Sequence, residues 1–282
     1  MHIGLGLPIA DPGTLPEWAV RAEAAGFASL GLLDRLVYDN PEPLVTLAML
    51  AGRTEHIRLQ TEVLLAPLRE PTLLAKQTAT LDRISGGRFV LGLGVGGRDD
   101  DHEASGTDIG TRGRRLDEQL GLLRRLWSGD PFSDTCGPIG PAPTTEGGPE
   151  LLFGGFRPAA IDRVGRWGGG FLAAAAPSWA GGLFEMARES WSGHGRSGSP
   201  RIVAQLNTVL GPQHLVDQAR AAVLDYYEFS GRAEYMADTM LTTPREIASA
   251  IRQFDDLGAS EVMLYCYGTD PTQIDRLADI VL

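Results

Sequence analysis

Four short stretches of this 282-residue chain carry residues whose types and spacing suit chemistry. FVLGLGVGG, residues 89–97, places Gly92, Gly94 and Gly97 in the G-x-G-x-x-G pattern of dinucleotide-binding turns. LLFGGFRPAA, residues 151–160, closes an apolar run with Gly154–Gly155 just before a helix expected near Pro158. A glycine turn at a helix N-terminus offers backbone N–H groups and the positive end of the helix dipole to a phosphate. Gly154, Gly155, Phe156 and Arg157 are therefore the expected phosphate segment, with Arg157 adding a charge-assisted contact. In QTEVLL, Glu62 sits in an otherwise apolar strand and needs a partner there, an arginine being the simplest. In LLDRLVYDN, Asp34 and Arg35 follow a strand and either position a substrate or form an ion pair at its rim, with Tyr38 lining the same pocket.

Other chemistries find less support. The dinucleotide pattern requires a helix immediately after the last glycine. Here Gly97 is followed by RDDDHEASGTDIG, read as a polar loop whose three aspartates repel a pyrophosphate. Glu118 lies at the right distance for a ribose-binding acid, yet the pattern falls on the fourth strand rather than the first. The alternative is a barrel strand whose C-terminal end opens into an active-site loop, where glycines let a flat ligand approach the backbone. The DDDHE run has donors for a divalent cation, but five consecutive loop residues do not converge on one centre, and it is read as solvated. His2, His56, His102, His194 and His214 show no metal spacing, and no metal is expected. The chain has no G-x-S-x-G, H-E-x-x-H or Walker sequence.

The elements that must position these residues alternate regularly. Apolar runs begin at His2, Phe27, Ile57, Arg88, Pro149, Gly170, Arg201 and Glu261. Amphipathic segments lie between them. Leu15, Trp18, Ala22 and Ala25 share one helical face, as do Leu74, Leu81 and Ile84, and Leu116, Leu120, Leu123 and Trp127. About eight strand–helix units predict a parallel sheet, and at this length the fold class is α/β, a (β/α)8 TIM-type barrel forming one domain over residues 1–282. The Gly/Pro-rich stretch 131–149 reads as a loop, because the alternation resumes in phase after it.

Composition bounds the partners. Hydrophobic residues make up 43% of the chain, enough for a large core. A net charge of -11 disfavours nucleic acid, whose phosphates repel such a surface. The N-terminal stretch lacks a basic region and no apolar run approaches the ~20 residues of a membrane span. Two distant cysteines, Cys136 and Cys266, fit a reducing, cytoplasmic setting.

LLAPLREPTLLAKQTATLDRISGGRFVLGLGVGG, residues 64–97, resembles the central signature of the bacterial luciferase-like flavin oxidoreductases. The likeness continues in residues 26–67, in GGFRPAAIDRVGRWGGGFL and in TTPREIASAIRQFDDLGASEVML, and so covers nearly the whole chain. It implies a TIM-type barrel that uses reduced FMN with O2, or coenzyme F-420 for hydride transfer. It also implies a non-prolyl cis peptide behind the flavin ring, matching Glu62 and Val63, with Gly94, Gly96 and Gly97 near the flavin. Two positions depart from the luciferases proper. Val95 stands where they carry a phosphate-facing arginine, and Arg35 where they carry a catalytic histidine.

The expected function is therefore a flavin-dependent oxidoreductase, a monooxygenase acting on a small organic substrate with reduced FMN from a separate flavin reductase. F-420-dependent hydride transfer and a non-catalytic flavin-binding barrel are the alternatives. A homodimer is expected by family analogy alone.

Overall fold

The computed structural model describes residues 1–9 and 12–282. Eight parallel strands form its barrel: β1 His2–Gly6, β2 Ser29–Leu32, β3 Arg58–Thr61, β4 Phe89–Gly94, β5 Glu150–Gly154, β6 Gly170–Ala173, β7 Arg201–Thr208 and β8 Glu261–Cys266. After Glu62–Val63, β3 resumes briefly at Leu64–Leu65. Neighbours pair in chain order, β1 also pairs with β8, and Leu59 opposite Phe89 joins β3 to β4, so the sheet closes. The strands read as nearly continuous apolar runs because both faces are covered.

Alternate residues of one strand serve different layers. Phe89, Leu91 and Leu93 of β4 join the outer layer with helix residues such as Trp18, Leu74, Leu116 and Phe254. Val90 points the other way and packs inside the barrel with Leu152, Leu172, Val203 and Met263.

The described residues contain eleven helices: α1 Leu15–Ala25, α2 Pro43–Ala51, α3 Pro71–Ile84, α4 Asp99–Ser105, α5 Arg112–Trp127, α6 Pro158–Trp167, α7 Pro177–Gly193, α8 Gln213–Tyr227, α9 Ala233–Asp238, α10 Pro244–Asp256 and α11 Thr272–Val281. Their starts follow the local sequence. Glu70 accepts from the Thr72 and Leu73 backbone N–H groups ahead of Pro71, and Thr243 with Glu246 forms a reciprocal capping box on α10. Among the described residues, no helix is long and apolar enough to cross a membrane.

Three expectations need correction. The loop expected after β4 contains α4, whose first turn carries Asp99, Asp100 and Asp101, a favourable placement for acids at a helix N-terminus. The 131–149 stretch contains a small antiparallel hairpin, Pro131–Ser133 with Cys136–Pro138. Ile84, expected to face inward, is 53% exposed, because α3 ends there and the chain turns away.

Candidate active site

The G-x-G-x-x-G stretch acts as barrel packing rather than a phosphate turn. A Cβ on Gly92 would meet the Thr61 carbonyl oxygen at 2.0 Å, and Thr61 Oγ1 donates to the Gly92 carbonyl at 2.7 Å. A Cβ on Gly94 would meet Val63 Cγ2 at 2.3 Å, and one on Gly154 would meet Val63 Cγ1 at 2.9 Å. Two glycines far apart in sequence thus make room for one side chain. Gly96 adopts φ +74°, and a Cβ there would stand 3.2 Å from His102 Nε2. Gly97 has nothing within 4 Å of that position, so packing does not account for it.

Two cavities open at the C-terminal ends of the strands, the end where barrels carry their chemistry. The larger holds about 160 Å³ and is lined by Asp34, Arg35, Glu62, Val63, Leu65, Gly96, Gly97, Arg98 and Asp101, with Tyr226 and Phe229 closing it. The smaller holds about 70 Å³ and lies over β6, β7 and β8, with Ala174–Ala176, Gln205, Asn207 and Tyr265 in its wall and Tyr227 and Tyr235 from α8 and α9 beside them. Both are below the ~300 Å³ of ordinary small-molecule sites. They meet at the Glu62–Gln205 contact below and at the adjacent Tyr226 and Tyr227 above.

Glu62 is 4% exposed, and the Glu62–Val63 peptide is cis, as the resemblance implied. Its carboxylate accepts from the side-chain amides of Gln60 and Gln205. These amides, rather than the expected arginine, are its hydrogen-bond partners. Room for it comes from Gly31, where a Cβ would stand 2.9 Å from Glu62 Cγ. Burial, with a further push from the Glu261 charge, raises its pKa to about 8 against the opposing amides and Arg201. The hydroxyl of Tyr265 is buried without a hydrogen-bond partner, and burial together with the nearby Glu62 charge raises its pKa well above the usual phenol range.

Asp34 and Arg35 do not pair with each other. Asp34 accepts from Arg69 Nη1 at 2.6 Å, Arg69 Nη2 at 3.1 Å and the Leu65 N–H at 2.7 Å, which ties the end of β2 to the end of β3. Arg35 donates through Nε to Asp101 at 3.0 Å. Its guanidinium also lies 5.1 Å from the Tyr38 ring and 5.8 Å from the Tyr226 ring, and its Nη1 is buried without a partner. Tyr38 packs edge-on against Tyr226 and donates to Asp225 at 2.5 Å.

The DDDHE run is not solvated throughout, because Asp101 and His102 are 1% and 2% exposed. Asp101 also accepts from the Leu36 and Val37 N–H groups at 3.0 and 2.7 Å. His102 pairs with Thr107 through Nδ1 at 2.8 Å and leaves Nε2 buried without a partner. Among the described residues, no three His, Cys, Asp or Glu side chains gather as a metal site.

Gly154 meets Val63, while Gly155, Phe156 and Arg157 are not in the lining of either cavity. A Cβ on Gly155 would meet Ala160 Cβ at 2.6 Å, so the turn closes tightly on α6. That helix starts without a side-chain cap, and Arg157 is exposed with no ion pair among the described residues. Phe156 is exposed and packs against Trp179 with ring centroids 5.9 Å apart.

The sequence reading missed Gln60, Gln205, Asp101, Tyr226, Tyr227, Tyr235 and Tyr265, while Tyr38, expected in the pocket lining, stands behind Tyr226 and outside that lining. A polar residue at Gln60, two before Glu62 and so on the same strand face, was a usable signal. Gln205 and Asn207, inside an apolar run, were another.

The sequence profile of the luciferase-like monooxygenases matches residues 3–281. An uncharacterized protein of Mycobacterium tuberculosis is 31% identical over 176 residues, 52% of this chain and 61% of that protein. The chain thus spans about three fifths of the length of that curated relative. The oxygenase component of a flavin-dependent trigonelline monooxygenase from Acinetobacter baylyi is 37% identical over 92 residues, 32% of this chain and 26% of that protein. Two solved structures share the fold. A monooxygenase from Streptomyces bottropensis superposes with TM-score 0.82 at 22% identity, covering 99% of this chain and 97% of that one. An F-420-dependent secondary alcohol dehydrogenase does so with TM-score 0.84 at 20% identity, covering 99% and 98%. The chain belongs to the luciferase-like monooxygenase family, whose members are flavin- or F-420-dependent oxidoreductases.

Proposed function

We propose that this protein is a monooxygenase that uses reduced FMN and O2 on a small organic substrate, with a separate reductase supplying the reduced flavin. The observation that carries this reading is the meeting of Glu62, Val63, Gly96 and Gly97 in the lining of one cavity, with Gly94 and Gly154 packed against Val63. The fit of the residues to a flat ring is supported by the bare backbone at Gly96–Gly97 and by two buried polar atoms without partners, Arg35 Nη1 and His102 Nε2. Bound reduced FMN would supply two electrons and activate O2, one oxygen atom going to the substrate and the other leaving as water.

The chain's own residues have separate tasks. Val63, held between Gly94 and Gly154, backs the ring. Glu62, neutral below its raised pKa, holds a proton on the cavity floor between Gln60 and Gln205. Tyr226, Phe229 and Arg98, whose guanidinium lies 4.2 Å from the Phe229 ring, exclude water from above. Asp34 and Arg35 are positioning residues through Arg69 and Asp101. Gly154–Arg157 and the uncapped start of α6 receive the phosphate.

One observation favours the second reading, hydride transfer with coenzyme F-420. The position of the luciferase histidine holds Arg35, which Asp101 and the rings around it engage, so no proton-transferring imidazole stands there. Titration of the protein with FMN and with F-420, followed by O2 uptake with a flavin reductase present, separates the two. Micromolar FMN binding with substrate-dependent O2 uptake is expected. A clear preference for F-420 moves the assignment to hydride transfer, and binding of neither refutes both.

A further inference from the structure

We propose that the smaller cavity is the substrate subsite and takes an uncharged, planar aromatic molecule carrying a hydrogen-bond acceptor. This rests on the oxidoreductase reading above and adds the substrate class to it.

The two cavities differ in chemistry. The larger is walled by Asp34, Arg35, Glu62, Arg98 and Asp101. The smaller has no Asp, Glu, Lys, Arg or His in its lining among the described residues. A charged ligand there would lose its hydration without gaining a counter-ion. The chain has six tyrosines, and four of them, Tyr227, Tyr235, Tyr265 and Tyr267, line this one cavity together with Trp179. Such a concentration of rings offers edge-to-face and offset stacking to a flat apolar ligand. The rings already stack on one another: Tyr227 and Tyr267 lie 6.5 Å apart, and Tyr226 packs edge-on against Tyr227 at 5.0 Å.

A second observation points to a ligand. Tyr265 is 3% exposed, lines the cavity and has no partner for its hydroxyl. A carbonyl or ether oxygen seated among the rings would accept that hydrogen bond. The volume of about 70 Å³ is short of the ~150 Å³ cavity that holds benzene, so a ring enters only as part of the wall moves. Tyr235 and Trp179, 46% and 42% exposed, are the parts of the wall free to do so.

The test is a set of ligand-observed NMR titrations with acetophenone, benzoate and N-methylpyridinium, each without cofactor and with FMN or F-420 present. Acetophenone should bind about tenfold or more tightly than either ion. Tyr265→Phe, which deletes a hydroxyl without breaking a hydrogen bond, should weaken acetophenone about fivefold and leave cofactor affinity unchanged. Tyr235→Ala, at an exposed position, should weaken it in the same direction. Equal binding of an ion, full acetophenone affinity in Tyr265→Phe, or no acetophenone binding below about 10 mM with either cofactor present overturns the proposal. Acetophenone binding with no affinity for FMN or F-420 upholds the aromatic subsite and refutes the cofactor reading instead.

Discussion

Glu62, at the break that follows Thr61 in β3, accepts a hydrogen bond from Gln205 on β7, the strand diametrically opposite β3 in the eight-strand ring. A single contact between residues 143 apart in sequence thus spans the barrel floor where the two cavities meet. The carboxyl is fully enclosed, and its hydrogen-bond partners are neutral amides rather than cations. Such a group favours its protonated form.

That preference gives stability a definite pH dependence. The pKa of Glu62 is raised from the ordinary glutamate range to about 8 in the fold. The native state therefore binds more protons than the unfolded state between roughly pH 4.5 and 8. Its contribution is fully present below that window and is lost as pH rises through about 8. The groups facing it are Gln60, Gln205, Glu261, Arg201 and Tyr265, and Glu62→Gln leaves all five in place. Thermal unfolding from pH 5 to pH 9 should show the native protein losing a few kcal/mol relative to Glu62→Gln across the window. Parallel curves for the two proteins would show that Glu62 is ionised in the fold at neutral pH.

The barrel was legible in the sequence because its signal is distributed over the chain: eight apolar runs alternating with amphipathic segments survive any local misreading. The floor of the site was only half legible. Glu62 stood out as a charge in an apolar strand, but its partner Gln205 lies on the opposite strand, and no local spacing links the two. Asp101 was misread for a related reason. In DDDHE the three aspartates look equivalent, yet only the third is buried, where it accepts a hydrogen bond from Arg35, a distinction set by the path of α4. The tyrosines at 226, 227 and 235 come from a segment whose placement over the mouth depends on tertiary packing alone.

Arg35 and Asp101 form a buried pair, 7% and 1% exposed, that ties the chain after β2 to α4. Asp101 also receives two backbone N–H groups, so its removal orphans three donors at once. Asp101→Ala should cost about 3–5 kcal/mol in urea unfolding. Asp100→Ala next to it should cost less than about 1 kcal/mol, since Asp100 is more exposed and its closest ion pair is with its neighbour Arg98. Similar losses for the two would place the stabilisation in the helix terminus rather than in the pair.

Gly94 and Val63 make a direct test of the packing at the floor. Gly94→Ala puts a methyl group 2.3 Å from Val63 Cγ2, against a side chain already confined by Gly154. A loss of about 1–3 kcal/mol is expected, with weaker cofactor binding. Val63→Ala in the same chain removes the obstructing methyls and should recover part of both losses, so that the double variant is more stable than the sum of the singles by about 1 kcal/mol. Strict additivity in a double-mutant cycle would mean that the strain is relieved elsewhere.

Arg157 separates phosphate recognition from ring recognition. Its guanidinium is exposed and makes no ion pair among the described residues, so Arg157→Ala should leave unfolding unchanged within about 0.5 kcal/mol. If the turn Gly154–Arg157 receives the phosphate, the variant loses one charge-assisted hydrogen bond, and FMN should bind about tenfold or more weakly. Riboflavin carries the same ring and no phosphate, and its affinity should be the same for the native protein and the variant. Fluorescence titration of both ligands against both proteins gives four constants. A fall for FMN alone assigns the phosphate to the start of α6. An equal fall for riboflavin would place Arg157 against the ring, and no change for either would move the phosphate site to another part of the mouth.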